Sequence, residues 1–167
     1  MKRSHLAAFA AAGDALPAGA CGEAPRPHRR LHVVRHSART RIAVLPFADL
    51  SGDDRGADAF GVLLIANLAC RPRLNVVSRN SSIRYKHSPA TLFAIASELD
   101  ADWVVDGSIL QSGSEVQVLV QLLDATSARA LMTRTFTGQA DTMRRIRPEI
   151  AYAAADEIAD AIVARRA

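Results

Sequence analysis

The stretch with most chemical potential is "RNSSIRYKHS", residues 79–88. Arg79 and Arg84 stand among Asn80, Ser81, Ser82 and Tyr85. Guanidinium groups, hydroxyls and free backbone amides together can clamp a phosphate or carboxylate. Asp49, Ser51 and Asp53, in "ADLSGDDRG", would meet them from a neighbouring loop. A plainer use competes. Asn80 and the serines can satisfy the loop's own backbone, while Arg79 pairs with an aspartate of the neighbouring loop. "LSGDDRGAD" lacks the terminal Gly-Lys-Ser/Thr of a phosphate loop. Its aspartates also lack the spacing and closing glutamate of a calcium loop.

Other clusters carry less. His28, His32 and His36 recur every fourth residue, as metal ligands on one helix face would. Pro25 and Pro27 precede them and arginines crowd them. No carboxylate or thiolate completes the set, so no metal is expected. There is no G-x-S-x-G nucleophile elbow. His87, flanked by Lys86 and Ser88, is the only histidine after residue 36, which leaves no nucleophile–base pair. The expectation is a chain that is not an enzyme and needs no cofactor. Cys70 falls in an apolar helical pattern and is expected to act as a small buried hydrophobe, unpaired with the distant Cys21.

Charge separates the chain into two parts. Residues 1–41 hold eight basic and two acidic side chains, a balance of +6. Residues 42–167 hold thirteen basic and fifteen acidic ones, a balance of −2. Nonspecific nucleic-acid binding needs a basic face that releases counterions. Only residues 1–40 could supply it. They read as a basic, disordered leader ahead of one domain, 41–167. "MKRSHLAAFAAAGDALPAGAC" has the basic start and short apolar run of an export signal. Asp14 interrupts the run, and "AGAC" lacks the bulky residue expected three places before a lipidated cysteine. Cytoplasm is therefore favoured slightly over periplasm or envelope. No apolar run approaches the ~20 residues of a spanning helix.

The elements that must position the site follow from periodicity. "RIAVLPF" reads as a buried strand, Ile42 to Phe47, stopped by Pro46. "ADAFGVLLIANLAC" spaces Phe60, Leu63, Leu64 and Leu68 as a helix. "LNVVS" is a second strand, and Ser88-Pro89 is the expected start of a second helix carrying Leu92, Phe93, Ile95, Ala96 and Leu99. "DWVVDGSIL", "EVQVLVQLLDA" and "ALMTRTFTG" form three further strands joined by tight turns. In the middle one Val116, Val118, Val120 and Leu122 make one face wholly apolar. The other face is mixed, as for a sheet with one partly wet side. A final helix, from about Asp141, aligns Ile146, Ile150, Ile158 and Ile162. Pro148 implies that its regular part begins there. The order is β-α-β-α-β-β-β-α. Right-handed crossovers then predict an α/β fold with a mixed five-stranded sheet, order 2-1-3-4-5, and helices covering its faces.

"IAVLPFADLSGD", "VVSRNSSIRYK", "IASELDADWVVDGSI" and "EVQVLVQLLDA", in this order and spacing, resemble the TolB amino-terminal-like domain. The resemblance runs from about Arg41 to Val163. It implies a mixed-sheet fold of the anticodon-binding-domain type. In bacteria this module stands beside adenylate cyclase, winged-helix and tetratricopeptide segments, and has relatives among flagellar lipoproteins. Asp100 replaces the family's usual glycine, and Met132 stands where tryptophan is frequent.

The resulting expectation is a non-catalytic binding or interaction module of a bacterial signalling or regulatory system. It would engage a protein partner, or a small anionic ligand in the crevice at the strands' carboxyl ends. The strand "ALMTRTFTG" and the outer face of the last helix are candidate partner surfaces. The alternative is an exported or lipidated structural component of the envelope.

Overall fold

The computed structural model describes residues 40–51 and 54–166. Asp53 and the expectations for the leader, its histidines and Cys21 lie outside the described residues. The chain runs β1 (Thr40–Val44), β2 (Ala48–Asp49), α1 (Asp54–Ala69), β3 (Leu74–Val76) and α2 (Arg79–Ser82), followed by a single 3-10 turn (Ile83–Tyr85). Then come α3 (Leu92–Glu98), β4 (Trp103–Ser112), β5 (Glu115–Asp124), β6 (Ala130–Gln139), α4 (Ala140–Arg145) and α5 (Arg147–Arg166).

The sheet order is β3-β1-β4-β5-β6. β3, β1 and β4 are parallel, and β4, β5 and β6 form an antiparallel meander. This is the expected order, with one addition: the first strand is broken. β1 pairs Val44 with Val105, whereas β2 pairs Ala48 with Ser108. One more residue is therefore spent on this edge than on β4, as in a bulge. Pro46, which has no N–H to give the ladder, sits in the break. The extra residue resets the alternation. Phe47 thereby joins Ile42 and Val44 in the main core, and Asp49 shares that face.

That core lies between one sheet face and α1 with α5. It contains Phe47, Phe60, Leu64, Leu68, Val105, Val120, Leu122, Ile158 and Ile162. The rings of Phe47 and Phe60 meet edge to face, 5.1 Å apart, a geometry favoured by the ring quadrupole. Arg71 ties the end of α1 to α5 through Asp156 at 2.7 Å and lies over the Tyr152 ring. A smaller core on the opposite face joins α3 to Ala43, Leu45, Val77 and Val104.

Four local expectations are corrected. The stretch 79–85 is helical rather than irregular, because the Ser78 hydroxyl accepts from the Ser81 N–H and caps it. Ser88 does not cap α3. Its hydroxyl accepts from the Ala90 N–H in a local turn, and Thr91 caps the helix by accepting from the Ala94 N–H. Cys70 is exposed, since α1 ends one residue before it. Ile146 is also exposed, because the helical run breaks between α4 and α5 just ahead of Pro148.

Candidate functional site

The structure distributes the sequence-selected residues over three concavities. The first contains Asp49 and Ser51. The Ser51 N–H donates to Asp49 Oδ1 at 2.7 Å, and the Gln111 N–H donates to Ser51 Oγ at 2.6 Å. The Leu50 N–H reaches the Ile109 carbonyl. β2 and the turn after it are thus stitched along β4, away from the end of β3. They open onto a cavity of about 200 Å3 with a floor of Phe60, Ile109, Val116, Val118, Met143 and Ile150. Arg144 and Arg147 stand at its rim beside Gln111 and Gly56. The sequence reading missed both arginines. The signal available was "MRRIRPEI", three cationic side chains around a helix restart.

The second concavity is a small cleft between residues 44–47, α1 and α2. Arg79 lies 3.9 Å from Asp58 there, and Lys86 lies 3.3 Å from the same carboxylate. The Ser82 hydroxyl donates to the Arg79 carbonyl, so Ser82 is buried and serves its own helix. The third is a shallow surface lined by Arg41, Asn80, Ser81, Arg84 and Glu98. Tyr85 donates to Glu98 at 2.6 Å and receives a bond from Arg84 at 2.7 Å. Desolvation, then the bond to Glu98, raises the Tyr85 pKa. Arg79 through Tyr85 therefore do not meet Asp49 and Ser51. The 79–85 turn reaches α1 through Arg79 and α3 through Arg84 and Tyr85, and Ser81 and Ser82 bond within the turn and its cap. The expected crevice is divided by the bulged edge.

A different surface is left open. Register places Asp106, Ser108 and Leu110 of β4 beside Gln121, Leu119 and Gln117 of β5. These in turn lie beside Thr133, Thr135 and Thr137 of β6. α3 packs on this face only at the Val104, Leu123 and Ala125 end, and Leu50 adds a 62% exposed side chain at the margin of the rest. Asp106 is partly buried in its middle. Among the described residues its one hydrogen bond comes from the Gly107 N–H. Burial raises its pKa, offset in part by that bond. Among the described residues no helix is long and apolar enough to cross a membrane, and no cluster has the composition of a metal site.

No family model matches the chain. It is 28% identical over 116 residues to a Rhizobium meliloti (strain 1021) protein named "Putative adenylate cyclase 3". The match covers 68% of this chain and 20% of that protein. Among solved structures, TolB from Acinetobacter baumannii superposes with a TM-score of 0.53 at 20% identity, covering 74% of this chain and 28% of that one. A lipoprotein of Neisseria meningitidis gives 0.50 at 16% identity, covering 60% and 80%. This chain thus spans a minor part of the curated relative and of TolB. The mixed α/β fold expected from the sequence is the fold these structures share.

Proposed function

We propose that the domain is a non-catalytic interaction module whose contact surface is the open face of the β4-β5-β6 meander. The observation that carries this reading is Asp106, a half-buried carboxylate with no cation opposite it among the described residues. A buried charge without a partner costs stability, and loops or faces that bind retain such costs. The three strands place Asp106 and Glu115 on this face and no basic side chain. The partner that fits is a protein segment presenting Lys or Arg to Asp106, with apolar side chains for Leu110, Leu119 and Leu50. Regulatory use beside a cyclase is supported by the name of the Rhizobium relative.

The test is a photo-crosslinking residue at Leu119 in the cell, with a control at Arg165 on α5. A discrete adduct from position 119 that disappears in Asp106→Lys, with a basic residue in the linked peptide, supports the reading. Adducts equal at both positions, or insensitive to Asp106→Lys, overturn it.

A second reading, an exported envelope component, draws on the description of the Neisseria structure as a lipoprotein. Mass spectrometry of the mature amino terminus separates the two. Cleavage before Cys21 favours export, and an intact Met1 counts against it.

A further inference from the structure

The cavity between β2, α1 and the α4–α5 junction lies on the other side of the sheet from the open face. Its lining combines three chemistries. Phe60, Ile109, Met143 and Ile150 make an apolar floor. Arg147, a half-buried residue, brings its guanidinium to the wall, and among the described residues it has no ion pair or hydrogen bond. Arg144, by contrast, is held by Asp141 at 2.8 Å. Asp49 supplies a carboxylate with Oδ1 engaged by the Ser51 N–H. Its Oδ2 and Arg147 Nη2 flank Gly56, where a methyl group would lie 4.0 Å and 3.7 Å from them.

A guanidinium in a partly desolvated wall favours a carboxylate, which it grips through two parallel hydrogen bonds. The neighbouring Asp49 oxygen favours an N–H donor. An apolar floor next to both favours a side chain without polar atoms. At about 200 Å3 the space falls below the about 300 to 1,000 Å3 of drug-sized pockets, and suits a single residue. The walls are fixed: Ser51 is bonded to β4, and the Ala140 N–H bonds the Ser114 carbonyl at 2.8 Å. Such pre-organisation reduces the ordering cost of binding.

We propose that this cavity binds an apolar α-amino acid unit, with its carboxylate on Arg147, its α-nitrogen on Asp49 and its side chain on the Phe60–Ile109–Met143–Ile150 floor. The unit comes either as the free amino acid or as the carboxyl-terminal residue of a peptide. This site stands apart from the open-face contact, so either can fail without the other.

Calorimetric titration of the full chain with leucine, N-acetyl-leucine and leucinamide tests it. Saturable binding of leucine or N-acetyl-leucine is expected, with leucinamide at least tenfold weaker. Binding of leucine alone identifies the free amino acid, and binding of N-acetyl-leucine identifies the peptide terminus. Arg147→Gln should weaken the bound probe at least tenfold. Gly56→Val, which fills the space between the two charged groups without removing either, should do the same in a chain that still folds. It therefore carries the test if Arg147→Gln does not fold. Absence of saturable binding by any probe, equal binding of leucinamide, or binding unchanged in the folded variants overturns the proposal.

Discussion

A methyl group at Gly107 would lie 2.2 Å from the Leu119 carbonyl oxygen and 2.4 Å from the Phe47 ring. Neither neighbour is free to retreat, since one is sheet backbone and the other is fully buried. Gly107→Ala is expected to destabilise the fold by about 3 kcal/mol or more, measured by urea unfolding, because overpacking at backbone has no cheap relaxation. At Asp124 one carboxylate oxygen accepts from the Thr126 hydroxyl, the Thr126 N–H and the Ser127 N–H. Led by the Thr126 hydroxyl, these bonds lower its pKa from 3.8 to about 2. A lowered folded-state pKa gives stability that is full above 3.8 and fades as pH falls toward 2. The midpoint gap between Asp124→Ala and the parent chain should therefore be widest at neutral pH and narrow across that window. Asp106 has the opposite sign. Its raised pKa lets the protonated carboxyl fold at less cost, so Asp106→Asn should raise the unfolding midpoint at pH 7 and lose that advantage at acid pH. The Gly107 constraint had a trace in the sequence, a glycine inside a strand pattern. The identity of the ring pressing on it did not.

At the scale of elements, the beginning of α3 separates two hydroxyl residues that look alike in sequence. Ser88 stands before a proline, and Thr91 stands three residues later. Thr91→Ala should cost about 1 kcal/mol, the usual worth of a helix cap, whereas Ser88→Ala should leave thermal stability within about 0.5 kcal/mol. Thermal denaturation of the two variants checks the assignment. Asp100, at φ 50°, ends the same helix region in the left-handed conformation. The residue type permits this, and glycine would do so with less strain. The α4–α5 break and the Gly113 hairpin, with φ 58°, were both legible, because proline and glycine act through local sterics. The bulge between β1 and β2 was legible only as Pro46. Its effect on which face Phe47 and Asp49 occupy depends on the partner strand.

For the whole molecule, α1 and α5 share the main core across a long stretch of chain. Leu64 and Ile158, both fully buried there, contribute through apolar burial and close packing. Leu64→Ala is expected to cost about 2–5 kcal/mol by chemical denaturation. The layout is uneven: helices cover one face of the sheet, while on the other α3 covers β3, β1 and only the Val104–Leu123 end of the meander. The meander therefore extends past its cover, and this is what leaves the surface around Asp106 open. The alternation in β5 had already marked one face as mixed, which is the sequence trace of that layout.

Periodicity and turn chemistry alone indicated the five main strands, the principal helices and their order in the sheet, because these rest on local sterics and on which residues avoid water. β2 and α2 came only with the tertiary structure. Residue types also singled out Arg79, Asn80, Ser81, Ser82, Arg84 and Tyr85 as able to bind an anion, with Asp49, Ser51 and Asp53 as their expected neighbours. Only the tertiary structure decided which of them share a space. A one-residue bulge carries Asp49 along β4 toward Arg147, while the 79–85 turn folds back onto Asp58 and Glu98. That outcome follows from pairing between segments distant in sequence, which no local pattern encodes.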